Sequence, residues 1–190
     1  YNQYNINKDK FIIAYIGTIG LSHGLEIVIE AAKKTKNKNQ LFLLIGEGAD
    51  KNKLINLKEK FNLVNVIFLD SMSWQEIINI QQVIHVNLVH LLPINFFENA
   101  LPSKMFESMY LSKPIILGVK GYASKIIEKY NLGMSINPGD ANHLVKVIDK
   151  FYDKKILINE CGKNGYKFVT TNYDRKVLSL KLLEVIKNLI

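Results

Sequence analysis

Arginine is nearly absent from this chain. Arg175 is the one arginine among 25 basic residues, and the rest are dispersed lysines. Sequence-specific nucleic-acid modules lean on arginine forks and a dense basic stripe, so that class of partner is set aside. Cysteine is equally scarce: Cys161 stands alone, which excludes a disulfide within these residues and fits a reducing compartment. No apolar run approaches the roughly 18 residues of a membrane span. The four histidines make no metal motif. His85 and His90, an odd number of residues apart on an expected strand, should face opposite ways, and no carboxylate cluster accompanies them. There is no Asp-x-Asp pair, no glycine loop ending in Gly-Lys-Ser/Thr, no spacing that argues a Ser–His–Asp or Cys–His arrangement, and no acidic cluster after the first apolar run. That last absence argues against a receiver domain.

What is present suits one globular domain. The 190 residues are 48% hydrophobic, enough for a sizeable core. The formal charge of +8 is uneven: residues 1–95 carry 10 basic and 8 acidic side chains, residues 96–190 carry 15 and 9. A small anionic ligand or an anionic membrane surface is a better use of dispersed lysine than nucleic acid, and a solvated lysine-rich face is the simplest account of all. The polar, asparagine-rich lead from Tyr1 to Lys10 reads as a linker from a longer protein.

Short apolar runs alternate with amphipathic stretches. Strands are expected at Phe11 to Ile16, Leu41 to Ile45, Val64 to Leu69, Val83 to Leu92, Ile115 to Val119 and Met134 to Ile136. Helices are expected at Leu25 to Lys36, 50–62, Trp74 to Gln82, from Pro102 onward, Tyr122 to Tyr130, and over 141–152, 155–171 and 175–190. Strands apolar on both sides and separated by helices predict an α/β fold, a doubly wound, Rossmann-like parallel sheet of about six strands. Ligands of such sheets bind at the carboxyl ends of the strands.

Three loops leave those ends. Gly17-Thr18-Ile19-Gly20-Leu21-Ser22-His23-Gly24 follows the first strand, where glycines let backbone approach a phosphate or simply make a tight turn. Gly46-Glu47-Gly48 is open to the same two readings. The third, Asn99 to Glu107, is the most informative. Pro102 suits a helix start, the free N–H groups of the first turn favour an anion, Lys104 adds a positive charge, and Glu107 lies one turn on, within reach of a polyol. A phosphate grip beside a carboxylate acceptor suggests a nucleotide or nucleotide-sugar. An ordinary amphipathic helix with a solvated Lys–Glu pair accounts for the same residues.

Six motifs occur in order: Tyr15-x-Gly17-Thr18-x-Gly20 with Gly24-Leu25-Glu26, then Gly46-Glu47-Gly48, Asn65-Val66-x-Phe68, Pro102-Ser103-Lys104-x-Phe106-Glu107 and Lys113-Pro114-Ile115. Over residues 11–153 they resemble the C-terminal, donor-binding half of retaining GT-B glycosyltransferases of family four, in the branch that builds bacterial capsule or O-antigen polysaccharide. The resemblance implies one half of a GT-B fold: a linker at 1–10, a nucleotide-sugar-binding domain at 11–173, and a helix at 174–190 that packs on an N-terminal acceptor domain of the same full-length chain. It implies a UDP-linked donor as substrate and no metal or other cofactor. By the same resemblance Glu107 binds the ribose hydroxyls, backbone amides at Gly20 and around the Pro102-Ser103-Lys104 turn receive the pyrophosphate, the Leu69 to Met72 strand end borders the base, and Gly17, Thr18, Gly46, Glu47 and Asn99 are further substrate-binding candidates.

Two departures from the pattern stand out. Many members carry another glutamate eight residues before the first, where this chain has Asn99 with Glu98 beside it. Many also carry an arginine and a lysine in the first glycine loop, where Thr18 and His23 stand here. A cytoplasmic enzyme, with peripheral contact at the inner membrane face, is the resulting expectation. A UDP-sugar 2-epimerase and a non-catalytic interaction module are the alternatives.

Overall fold

Phe11–Ile16 (β1) and Gln40–Ile45 (β2) are buried along nearly their whole length. Such runs cannot alternate inward and outward, so they need cover on both faces of a sheet. The structure, a computed structural model, describes residues 4, 6–7 and 9–189. The remaining strands are Val66–Leu69 (β3), Val86–His90 (β4), Ile115–Gly118 (β5) and Gly133–Ser135 (β6). All six lie parallel in the order β3-β2-β1-β4-β5-β6. This is the doubly wound, Rossmann-like arrangement, with its switch point between β1 and β4.

Helices Glu26–Lys34 (α1), Lys51–Lys60 (α2) and Ala141–Asp153 (α6) pack apolar faces on one side, against Phe11, Ile13, Tyr15, Phe42 and Leu44. Trp74–Gln81 (α3), Ser103–Tyr110 (α4) and Tyr122–Lys129 (α5) cover the other. Ile156–Asn172 (α7) joins the layers: Leu157 and Ile158 pack with the first, Phe168 and Val169 with the second. Local chemistry sets the helix starts. Ser73 and Glu76 form a capping box on α3, and Asp140 caps α6 by accepting from the His143 N–H at 2.9 Å.

The structure trims two expectations. The fourth strand runs over Val86–His90, because the Val83 and Ile84 amides bond back to Ile80 and Gln81 and close α3. His85 therefore precedes the strand; its Nδ1 accepts from the Ile12 N–H at 3.1 Å. Pro102 takes the extended cap position just before α4, one residue ahead of the helix itself. Of the lead at 1–10, residues 1–3, 5 and 8 lie outside the described residues. Ile6 is buried with Ile12, Ile77 and Ile84.

Arg175–Lys187 (α8) is the exception to this packing. It buries no residue, and Leu178, Leu180, Leu182, Leu183, Val185 and Ile186 are all exposed. Residue 190, the end of the expected helix, lies outside the described residues. Nothing tertiary supports most of its hydrogen bonds, and isolated helices of this length are marginal in water. In the monomeric chain, amide exchange in α8 should be faster by orders of magnitude than in β1 and β4. Equal protection, in a preparation shown to be monomeric, would contradict this.

Candidate functional site

Three loops meet where β1, β2 and β4 end. Gly17 continues the ladder, its N–H donating to Ile45 O at 2.8 Å, and the Gly46 N–H does the same to Leu69 O at 3.0 Å. The loops then lock together. The Ile19 N–H donates to Glu47 O at 2.7 Å, and the Asp50 N–H to Ile19 O at 3.0 Å. Gly46 has φ +141°, and a Cβ there would lie 2.0 Å from the Gly17 carbonyl oxygen. One at Gly48 would lie 2.2 Å from the Ile19 carbonyl oxygen. Both glycines of this loop are therefore required by the neighbouring backbone, whatever ligand binds there. Glu47 itself is half-exposed and pairs with Lys51 at 2.5 Å, and Lys51 also reaches Asp70 at 2.6 Å. Burial opposes the Lys51 charge, but the Asp70 and Glu47 carboxylates prevail and hold its pKa above the usual lysine value. The triad ties the ends of β2 and β3 together across the start of α2.

Facing these loops is the start of α4. The N–H groups of Ser103 and Lys104 have no acceptor among the described residues, and the Pro102 cap carries no side-chain bond to them. Thr18 and Gly20, across the crevice, also have N–H groups with no acceptor there. Between the two sets lies the Lys104 side chain. It crosses Gly17 so closely that a Cβ at that glycine would sit 2.3 Å from Lys104 Cε. Its Nζ is 5.3 Å from the Tyr15 ring centre, a cation–π contact. No carboxylate or carbonyl among the described residues bonds it. Burial holds its pKa below the usual lysine value, and Glu107 offsets that only in part. Tyr15 is locked by its hydroxyl, which donates to Thr18 O at 2.6 Å.

Four N–H groups without acceptors beside a half-buried cation are the chemistry that suits an anion. Beside it, Glu107 is exposed and shares a small cleft with Ile16, Trp74, Lys104 and Leu111. Leu69 and Met72, like Ile16, are partly buried against the apolar cluster on this side of the sheet. A buried polar chain holds α4 in place: Gln81 donates to Asn87 Oδ1 at 3.3 Å, Asn87 to Ser108 Oγ at 3.0 Å, and Ser108 to Lys104 O at 2.8 Å. Asn99 is exposed in the turn before α4, away from these contacts. Its neighbour Glu98 uses its carbonyl to accept from the Tyr122 N–H at 3.2 Å. No group of three or more His, Cys, Asp or Glu that could hold a metal occurs among the described residues, and no helix there is long and apolar enough to cross a membrane.

The structure thus brings Gly17, Thr18, Gly20, Ser103, Lys104 and Glu107 to one crevice, with Gly46, Glu47, Leu69 and Met72 along its β2–β3 side. Sequence reasoning passed over Tyr15, Lys51, Asp70 and Trp74 as site residues. Lys51 had a signal, since it stands four residues after Glu47 on a helical stretch. Asp70 had none, because its partner comes from a different loop.

An α/β domain with free amides and a half-buried lysine at its switch point is the class that fold and site define. The sequence model of the family described as glycosyl transferases group 1 matches residues 2–168, and the chain belongs to that family. It is 36% identical over 73 residues to the putative colanic acid biosynthesis glycosyl transferase WcaI of Escherichia coli K12, a stretch covering 38% of this chain and 18% of WcaI. Among solved structures it is similar to sucrose-phosphate synthase of Thermosynechococcus elongatus (20% identity, TM-score 0.83, 99% of this chain and 47% of that one). It is also similar to Anabaena HepE in complex with UDP (14% identity, TM-score 0.82, 95% and 49%). The fold is that of one domain of GT-B glycosyltransferases, and the chain spans about half the length of these two solved chains.

The interlock of the loops predicts the cost of disturbing it. Gly46→Ala forces a side chain into a carbonyl from a backbone geometry that L-residues rarely adopt. It should cost about 2 kcal/mol or more and lower Tm by about 4–8 °C. Thermal unfolding of the two chains checks this, and an unchanged Tm would contradict it.

Proposed function

We propose that this chain is the donor-binding domain of a retaining glycosyltransferase that transfers a sugar from a UDP-sugar to a glycan or lipid-linked acceptor in bacterial surface-polysaccharide synthesis. The observation that carries the reading is Lys104: a half-buried ammonium with no hydrogen-bond acceptor among the described residues, lying between the free amides of Thr18 and Gly20 and those of Ser103 and Lys104. A diphosphate would satisfy all of them together. Glu107 then lies where a carboxylate can accept from both ribose hydroxyls, and Trp74, Met72 and Leu69 offer an apolar border for the base. The relation to WcaI supports the polysaccharide context, and the UDP bound by HepE supports the nucleotide.

Departure of UDP from the anomeric carbon builds negative charge on the β-phosphate. Fixed N–H dipoles and the Lys104 charge stabilise that charge without reorganising. No residue of this chain is assigned as a general base. The acceptor side is assigned to an N-terminal domain of the full-length enzyme, with the exposed apolar residues of α8 as part of the surface that meets it. By itself the chain should bind donor and transfer no sugar.

Calorimetric titration with uridine, UMP and UDP tests the assignments. Glu107→Ala should lose two charge-assisted contacts, costing about 2–4 kcal/mol of affinity for all three ligands. Glu107→Gln should lose less. Lys104→Ala should weaken UDP far more than uridine. A Glu107→Ala chain that binds UDP like its parent, with an unchanged Tm, would refute the ribose role, and a parent that binds no nucleotide would refute the donor site.

The lowered Lys104 pKa sets a pH dependence. Phosphate favours the ammonium form, so binding raises the pKa of Lys104 from its depressed free-state value. UDP affinity should then be constant below that free-state value and fall as pH rises through it, with net proton uptake on binding in that range. Titrations in alkaline buffers of differing ionisation enthalpy read the uptake directly. Lys104→Arg, whose guanidinium stays charged, should take up no such proton.

A further inference from the structure

His90 ends the central strand β4 and is almost wholly buried, with 1% of its surface exposed. Both of its ring nitrogens are engaged by backbone groups of other segments. Nδ1 lies 2.6 Å from the carbonyl oxygen of His23, and Nε2 lies 3.0 Å from the backbone nitrogen of Gly139. A carbonyl can only accept and an N–H can only donate. The partners therefore dictate a single state: neutral imidazole, with its hydrogen on Nδ1. Burial likewise holds the His90 pKa below the usual histidine value, against the opposing pulls of the His23 bond and Glu26.

The surroundings are shaped to this ring. Gly118, its register partner on β5, would place a Cβ 2.2 Å from His90 Cδ2, and Gly24 would place one 3.4 Å from Cε1. Through its two bonds the ring joins the end of β4 to the loop after β1 and to the loop before α6. The bond to His23 continues toward the anion site. The His23 N–H donates to Gly20 O at 3.0 Å, and the Gly20 N–H is one of those left without an acceptor. The His23 ring, in turn, packs 5.7 Å from the Tyr15 ring that also contacts Lys104.

We propose that His90 is a positioning residue for the donor diphosphate, holding the glycine loop 17–24 in the geometry that presents its amides to phosphate through the bond from Nδ1–H to the His23 carbonyl. The proposal rests on the donor-site reading above and adds to it a residue that touches no ligand. The loop 17–24 itself carries no arginine or lysine. Amide geometry therefore carries more of the phosphate grip, and a device that fixes the loop has a larger effect.

Two substitutions separate the ring nitrogens. In His90→Asn the side-chain NH₂ falls near the place of Nδ1 and can still donate to His23 O. In His90→Gln the side-chain carbonyl falls near the place of Nε2 and can still accept from Gly139. His90→Phe keeps the ring volume and neither bond. Each is titrated calorimetrically with UDP and with uridine, with thermal unfolding as the fold control. Relative to the parent, His90→Phe and His90→Gln should bind UDP about tenfold more weakly and uridine within about twofold, and His90→Asn should recover most of the UDP affinity. Should the phenylalanine chain fail to fold, the comparison of Asn with Gln stands by itself. Equal UDP affinity across the folded variants, or parallel losses of UDP and uridine with no recovery by Asn, would overturn the proposal and leave the donor site intact. A parent chain that binds no UDP would overturn the donor-site reading and this inference with it.

Discussion

The short pairing of β1 with β4 is the constraint on which the site depends. Parallel neighbours β1 and β2 register over six residue pairs, Phe11↔Gln40 to Ile16↔Ile45, whereas β1 and β4 register only at Ile13↔Val86 and Ala14↔Asn87. From this seam the chain winds outward in opposite directions, β2 and β3 to one side and β5 and β6 to the other. The loops leaving β1 and β4 consequently diverge, and no crossover helix covers the space between their ends. Lys104 lies in that space. Were the two strands paired to their tips, neither its side chain over Gly17 nor the free amides on each side would have room.

The crevice is poised by charges and dipoles that the fold leaves uncompensated. Most polar groups of the core are paired, including the chain from Gln81 through Asn87 and Ser108 to the α4 backbone. Lys104 and the amides around it are the contrast. Keeping an ammonium half-buried without a partner is costly, as its depressed pKa records. An anion bound in the crevice would offset that cost. The Lys51 triad and the His90 bonds act at one remove: they hold the loops that border the crevice.

Within the chain, α8 is the feature that the domain itself does not explain. Its large apolar side chains remain in water, while each of the helices α1 to α7 buries side chains in the core. Hydrophobic burial is worth about 25 cal/mol per Å² of apolar surface, so these six exposed side chains of α8 represent a substantial gain for whatever surface covers them.

Most of the fold was legible because its signals are local. Continuous apolar runs such as Phe11 to Ile16 have one good solution, a strand covered on both faces, and the 3.6-residue spacing of Leu54, Leu57 and Phe61 has another. The helix start at Ser103 and the proximity of Lys104 to Glu107 follow from chain geometry alone. Other features were decided only when distant segments met. Gly46 and Gly48 read equally well as ligand contacts or turns until the carbonyls of Gly17 and Ile19 came to lie against them. Lys104 read as a mobile surface charge, and burial beside Tyr15 made it a fixed and destabilised one. The hydrogen-bond partners of His90 could not be read locally, since they are 67 and 49 residues away. Local spacing determines which elements form and which side chains share a face. Which loops touch, which charges lose their water and which histidine nitrogen holds the proton are properties of contacts between segments, and those exist only in the folded chain.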